Sequence, residues 1–173
     1  MKKLLFILLL FISVTAMSQN KKGTIQVGIG GLPIIYFDNS VPTGYSLRAN
    51  VGYFVSDRLA VGVLPFAGKV DQISSLGAAI YSRYYLTDSK LSFFLEGSVG
   101  LGTVNYERDS NFDGTMSSVS FGPGFGYRLN PKFTIEFLAQ YARLKNESFP
   151  ESTLLGNTFM PTFTIQYSLF KQR

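Results

Sequence analysis

The sequence predicts an all-β fold: an eight-stranded antiparallel up-and-down transmembrane β-barrel behind a cleaved signal peptide. Three observations carry this. Apolar residues recur every second position, with no sustained 3.6-residue helical repeat. The 173 residues are 46% apolar and 15% aromatic but only 16% charged, where a soluble domain carries about 25%. The stretches between the alternating segments run long, short, long, short, as in a strand meander. The chain also has no Cys and no His. That excludes disulfides, thiolate metal sites and cysteine nucleophiles. It also removes the usual general base, the usual zinc ligand and any Ser-His-Asp triad.

The first element is an export signal over residues 1–18. Lys2 and Lys3 are a positive start, and Leu4 to Val14 is apolar except for Ser13. Ala16 and Ser18 place small residues three and one before the cut. The apolar stretch is shorter than the roughly 20 residues of a membrane-crossing helix. Residues 19–173 are then the barrel domain. Loss of Lys2 and Lys3 lowers the net charge from +5 to +3. No polybasic run points to nucleic acid.

Eight strands follow, at about 23–30, 44–55, 59–67, 75–86, 91–104, 115–129, 133–144 and 158–170. The sixth shows the pattern best. Val119, Phe121, Phe125, Tyr127 and Leu129 alternate with Ser118, Ser120, Gly122, Gly124, Gly126 and Arg128. Alternate residues face opposite sides of a strand, so one side is greasy and the other small and polar. Residues 56–58, 87–90 and 130–132 are tight turns by composition. Residues 31–43, 68–74, 105–114 and 145–157 are longer connections.

Register is testable within each hairpin. Placing Val55 opposite Leu59 pairs Gly52 with Gly62 and Val51 with Val63. Placing Leu86 opposite Leu91 pairs Arg83 with Phe94 and Tyr81 with Glu96. Placing Leu129 opposite Phe133 pairs Arg128 with Thr134 and Gly126 with Glu136. Each choice sets like faces together, and a slip of one residue mixes them.

The greasy face belongs outside. An eight-stranded barrel has an interior only just wide enough for side chains, and several Phe, Tyr, Leu, Ile or Val per strand would overfill it. The polar face lacks the many Lys and Glu of a water-exposed surface. Tyr53, Tyr84, Phe93, Tyr127, Phe133 and Tyr167 lie on the greasy face near short turns or the C-terminus, as an aromatic girdle at one membrane edge. Arg48, Arg83, Glu96, Arg128 and Glu136 lie on the inner face. Arg83, Glu96, Arg128 and Glu136 are expected to form an interior charge cluster, with Arg83 diagonal to Glu96 and Arg128 diagonal to Glu136. Unpaired charge in a narrow lumen is costly, so they should pair as a structural plug rather than line an ion constriction.

Several phrases then resemble the Gram-negative outer membrane protein beta-barrel domain family, the small OmpA/OmpX-like "porin family" barrels. They are GYFVSDRLAVG at 52–62, RYYL at 83–86 with FFLEGSVGLG at 93–102, GFGYRLNPKFTIEF at 124–137 and the closing TFTIQYSLF at 162–170. The resemblance covers essentially the whole mature chain. Lys171-Gln172-Arg173 follow Phe170, where many such barrels end on the aromatic. The resemblance implies a multi-pass location in the outer membrane. It implies contact with outer-membrane lipid and lipopolysaccharide, use of the barrel-assembly machinery, and an extracellular ligand at the loops.

Residues 109–114, Asp-Ser-Asn-Phe-Asp-Gly, match the first half of a calcium-loop pattern. Position 120 is Ser, not the closing bidentate Glu, so a polar hairpin tip is expected and no metal. Asn146-Glu147-Ser148 is a formal sequon without weight in bacterial-type export. The long connections hold apolar residues at Pro33 to Phe37, Phe149, Leu154 and Leu155. The expected function is a non-enzymatic integral barrel with a structural or adhesive role through four extracellular loops, without cofactor. A small pore for ions or solutes is the alternative. An outer-membrane enzyme lacks its His, and a soluble lipocalin-like barrel would need the greasy face inside.

Overall fold

A computed structural model of the chain describes residues 22–34, 44–107, 113–146 and 157–169. Their strands are β1 (Ile25–Ile34), β2 (Gly44–Phe54), β3 (Leu59–Val70), β4 (Ile73–Tyr85), β5 (Leu91–Tyr106), β6 (Gly114–Arg128), β7 (Phe133–Asn146) and β8 (Asn157–Leu169). Each pairs antiparallel with its neighbour in sequence, and β1 pairs with β8 from Ile25↔Leu169 to Gly31↔Phe163. The sheet is a closed barrel. Closure removes the edges, the condition for strands to cross hydrocarbon with every backbone group paired. The export signal at 1–18 lies outside the described residues.

The turn chemistry is local. In the β2–β3 turn, the Ser56 hydroxyl accepts from the Leu59 N–H at 3.1 Å. In the β6–β7 turn, the Asn130 side-chain Oδ1 accepts from the N–H groups of Lys132 and Phe133 at 2.9 and 3.0 Å. Both hairpins have the expected register, with Val51↔Val63 and Gly126↔Glu136. The β4–β5 hairpin differs by two residues: Arg83 faces Glu96 directly and Tyr85 faces Phe94. The Thr87 hydroxyl accepts from the Phe93 N–H at 2.8 Å, which holds a longer turn than composition suggested. A two-residue shift keeps every side chain on its own face, so parity alone could not detect it.

The connection expected at 68–74 is a second correction. β3 and β4 continue to the Val70↔Ile73 pair, leaving Asp71 and Gln72 as the link, with Asp71 at φ 52°. Asp tolerates this left-handed conformation better than most residues. Gly68, Ser74 and Ser75 resemble loop composition, but small residues also suit a narrow barrel wall. The β2–β3 ladder omits two pairs, at Pro65 and Leu64, and the β6–β7 ladder omits two, at Gly122 and Pro123. Proline brings no N–H to a ladder.

Faces follow the period of two. Ile29, Leu76, Ile80, Leu101, Phe121, Phe159 and Ile165 are among the apolar side chains exposed on the outer wall. The inner face is not only small and polar. Phe54, Ala60, Tyr85, Phe94 and Leu138 pack as a buried cluster at the short-turn end. The Tyr85 ring centroid lies 5.5 Å from those of Phe54 and Phe94. Two glycines make room for such rings. A Cβ on Gly124 would stand 2.4 Å from the Phe94 ring, and one on Gly52 would stand 2.2 Å from the Tyr81 hydroxyl.

Replacing Gly124 with Ala should therefore destabilise the barrel by about 1–3 kcal/mol through overpacking. Adding Phe94→Leu should recover part of that loss. Urea unfolding in detergent micelles measures both, and additive losses would contradict the contact.

Candidate functional site

The inner wall carries a connected polar network. It exists because Arg48, Asn50, Arg83, Glu96, Glu136, Gln140 and Gln166 all have inward parity, and all are buried. Arg83 on β4 is its centre. Its Nε and NH2 groups donate to Glu96 Oε2 at 2.9 and 2.5 Å. Its NH1 donates to Glu136 Oε2 at 2.6 Å and to the Tyr85 hydroxyl at 3.2 Å. The guanidinium lies 4.4 Å from the Phe94 ring centroid, a cation–π contact.

Glu96 on β5 is shared between two arginines. Its Oε1 accepts from Arg48 NH2 at 2.9 Å and from Gln140 Nε2 at 3.3 Å. Arg48 NH1 donates to Gln140 Oε1 at 3.0 Å. Gln140 reaches Ser120 at 3.0 Å, and Gln166 donates to Glu136 at 2.9 Å and pairs with Asn50. The Tyr85 hydroxyl donates to Gln26 at 3.2 Å. Bonds from β2 to β5 and from β4 to β7 join strands across the barrel, so the network spans the lumen instead of lining it. Two arginines meet two glutamates, and the buried charge balances. Among the described residues, Arg48 Nε is the buried side-chain polar atom without a partner.

The structure brings Arg83, Glu96 and Glu136 together and leaves Arg128 out. The Glu136 expected beside Arg128 is taken by Arg83. Arg128 instead faces Asp88 at 3.9 Å near the β4–β5 turn. Arg48 joins through Glu96. The expected hairpin register already set Tyr81 and Phe94 on the inner face beside Glu96 and Arg83; the inward Tyr85, and the packing of these rings around Arg83, were not foreseen.

On the outer wall, Tyr53, Tyr84, Phe93, Tyr127 and Phe133 are exposed, and Tyr167 is half-buried with its ring 5.0 Å from that of Phe133. A second aromatic set was not anticipated. Tyr45, Tyr141 and Phe159 are exposed on β2, β7 and β8. Each stands eight residues along its strand from Tyr53, Phe133 or Tyr167. Eight residues span about 26 Å of strand, or about 20 Å of depth at a tilt near 40°. That is comparable to the roughly 25 Å apolar band of membrane barrels.

The first four residues of the calcium-like stretch, Asp109 to Phe112, lie outside the described residues. The Asp113 carboxylate accepts from the Tyr106 N–H at 2.8 Å, and Gly114 opens β6. Ser120 sits inside the barrel against Gln140. Among the described residues no three acidic side chains come together to hold a metal. Of the sequon, Asn146 ends β7, and Glu147 and Ser148 lie outside the described residues, as do residues 35–37, Phe149, Leu154 and Leu155.

Comparison with known proteins agrees with this architecture. The family described as "Outer membrane protein beta-barrel domain" matches residues 4–162. No curated protein matches the sequence. The N-terminal β-barrel domain of Pseudomonas aeruginosa OprF is similar in structure, with TM-score 0.61 and 12% identity over 86% of this chain and 98% of that one. Neisserial surface protein A gives TM-score 0.54 and 15% identity over 84% of this chain and 92% of that one. OprG of P. aeruginosa gives TM-score 0.50 and 16% identity over 90% of this chain and all of that one.

Exchange of Glu96 for Gln removes the charge that two buried arginines share. Breaking a buried ion pair costs roughly 3–5 kcal/mol. A loss of that order is expected in urea unfolding of the refolded protein, and an unchanged midpoint would show that the network does not hold the barrel.

Proposed function

The chain belongs to the outer membrane protein beta-barrel domain family and lies in the outer membrane, and from that premise we propose that it is a non-enzymatic, closed barrel whose work is done at its outer end. The observation that carries this is the filled lumen. Glu96 and Glu136 are at most 2% exposed and committed to Arg83. A mostly aromatic cluster packs in the interior beside them. Carboxylates held this way offer no free base, and the chain supplies no His or Cys to replace them.

What is left for interaction is the rim where the long connections emerge. β5 and β6 have 16 and 15 residues, and about 9–11 suffice for a tilted strand to cross the hydrocarbon. The excess length lifts their ends past the bilayer as a rigid platform. Loops on rigid scaffolds are where binding residues gather. With Asp71–Gln72 a two-residue link, three connections rather than four supply most of that surface. A structural or adhesive role at this rim is the function the geometry supports best.

Planar-bilayer recording separates this from a small pore. The purified, refolded protein should give no stable unitary openings at neutral pH. Discrete, reproducible openings in the wild-type protein would overturn the closed barrel in favour of conduction of ions or small solutes.

A further inference from the structure

We propose that Arg143 and Lys145, on the outer wall of β7, form a docking site for the phosphate-bearing headgroup of a membrane lipid. The inference rests on the greasy wall meeting lipid, as above. Outward residues of β7 read Phe133, Ile135, Phe137, Ala139, Tyr141, Arg143 and Lys145. The first five are apolar or aromatic and the last two are basic. The change falls directly above the upper aromatic set.

On the neighbouring β6 the change comes one step higher, after the exposed Val119. Arg143 pairs with Val119 on β6 and Asn157 on β8, and Lys145 pairs with Ser117. Below them lie Phe121 and Phe159, both exposed. The apolar wall therefore ends at Tyr141 on β7 and at Val119 on β6, and the two cations stand at that edge. Both are exposed to the outside. Arginine presents a planar fork that matches phosphate, and lysine adds a mobile point charge. Alternate residues on a strand sit about 6.6 Å apart, close enough for both side chains to converge on one headgroup while its acyl chains lie along Phe121, Tyr141 and Phe159.

Charge singles out this part of the wall. Lys69 stands at a similar height on β3, beside Tyr45, but it forms an ion pair with Glu107. Among the described residues no acidic side chain pairs with Arg143 or Lys145. An anion arriving from the membrane meets a neutralised lysine on β3 and, on β7, two cations with no acidic partner among the described residues.

The test uses the full chain refolded in an uncharged sugar detergent, with heat-dependent gel mobility confirming the folded barrel. Phosphatidic acid or phosphatidylcholine is titrated in, and bound lipid is counted by native mass spectrometry. Wild-type protein should hold phosphatidic acid at least about tenfold more tightly than phosphatidylcholine. The doubly substituted R143S/K145S protein should lose about 10- to 30-fold in that affinity, as expected for two interfacial cations. K69S should bind like wild type. Equal retention of the two lipids by wild type, or undiminished binding by the double variant, would overturn the proposal. Displacement of the lipid by millimolar inorganic phosphate would assign a free-anion site instead and overturn the lipid assignment. If the double variant fails to fold, R143K, which keeps the charge, and the wild-type preference carry the test. Failure of the wild-type gel shift would strike the membrane barrel itself rather than this site.

Discussion

The closed hydrogen-bond ladder is the constraint on which the rest of the structure depends. Hydrocarbon offers no partner to a bare N–H or C=O, so a strand can cross only if both neighbours satisfy it. The β1–β8 pairing closes the ring at Ile25↔Leu169 and completes that condition. Once closed, the ring has only an inside and an outside, and the strand period of two assigns every residue to one of them. Alternation in the sequence thus becomes a lipid-facing wall and a filled interior without further instruction.

The interior then has to solve a charge problem. Parity brings Arg48, Arg83, Glu96 and Glu136 into a small space where isolated charge is costly. Glu96 answers by accepting from two arginines, and Arg83 by reaching both glutamates. Such a network gains little over well-packed apolar residues, but losing one member strands the others. It ties β2, β4, β5 and β7 across the lumen. The aromatic cluster of Phe54, Tyr85 and Phe94 beside it needs the missing side chain of Gly124. The glycines and the arginines are parts of one packing solution.

Much of this was legible in the sequence. Strand order and two of three tight hairpins followed from alternation at Val51, Val63, Gly126 and Glu136. The β4–β5 register did not, because a shift of two leaves faces intact and depends on how Thr87 holds its turn. The Asp71–Gln72 link was hidden because Gly68 and Ser74-Ser75 serve a narrow wall as well as a loop. Within the site, inward parity named Arg83, Glu96 and Glu136, but parity does not say who reaches whom. Arg128 has the same parity and goes to Asp88, since the directly opposed Arg83 and Glu96 form the nucleus that Glu136 joins. The upper aromatics Tyr45, Tyr141 and Phe159 emerge only when depth along each strand is compared with the lower belt.

Lipid-phase accessibility along β7 tests the central claim, that parity decides which side chains meet lipid. The chain has no native Cys, so each single-cysteine variant carries one unique thiol. A fluorophore at 135, 137 or 139 should be quenched by bromines on lipid acyl chains. Thiols at 134, 136 or 138 should resist labelling in the folded barrel. Quenching that alternates with period two supports the account. Quenching at the even positions, or equal quenching at all six, would contradict it.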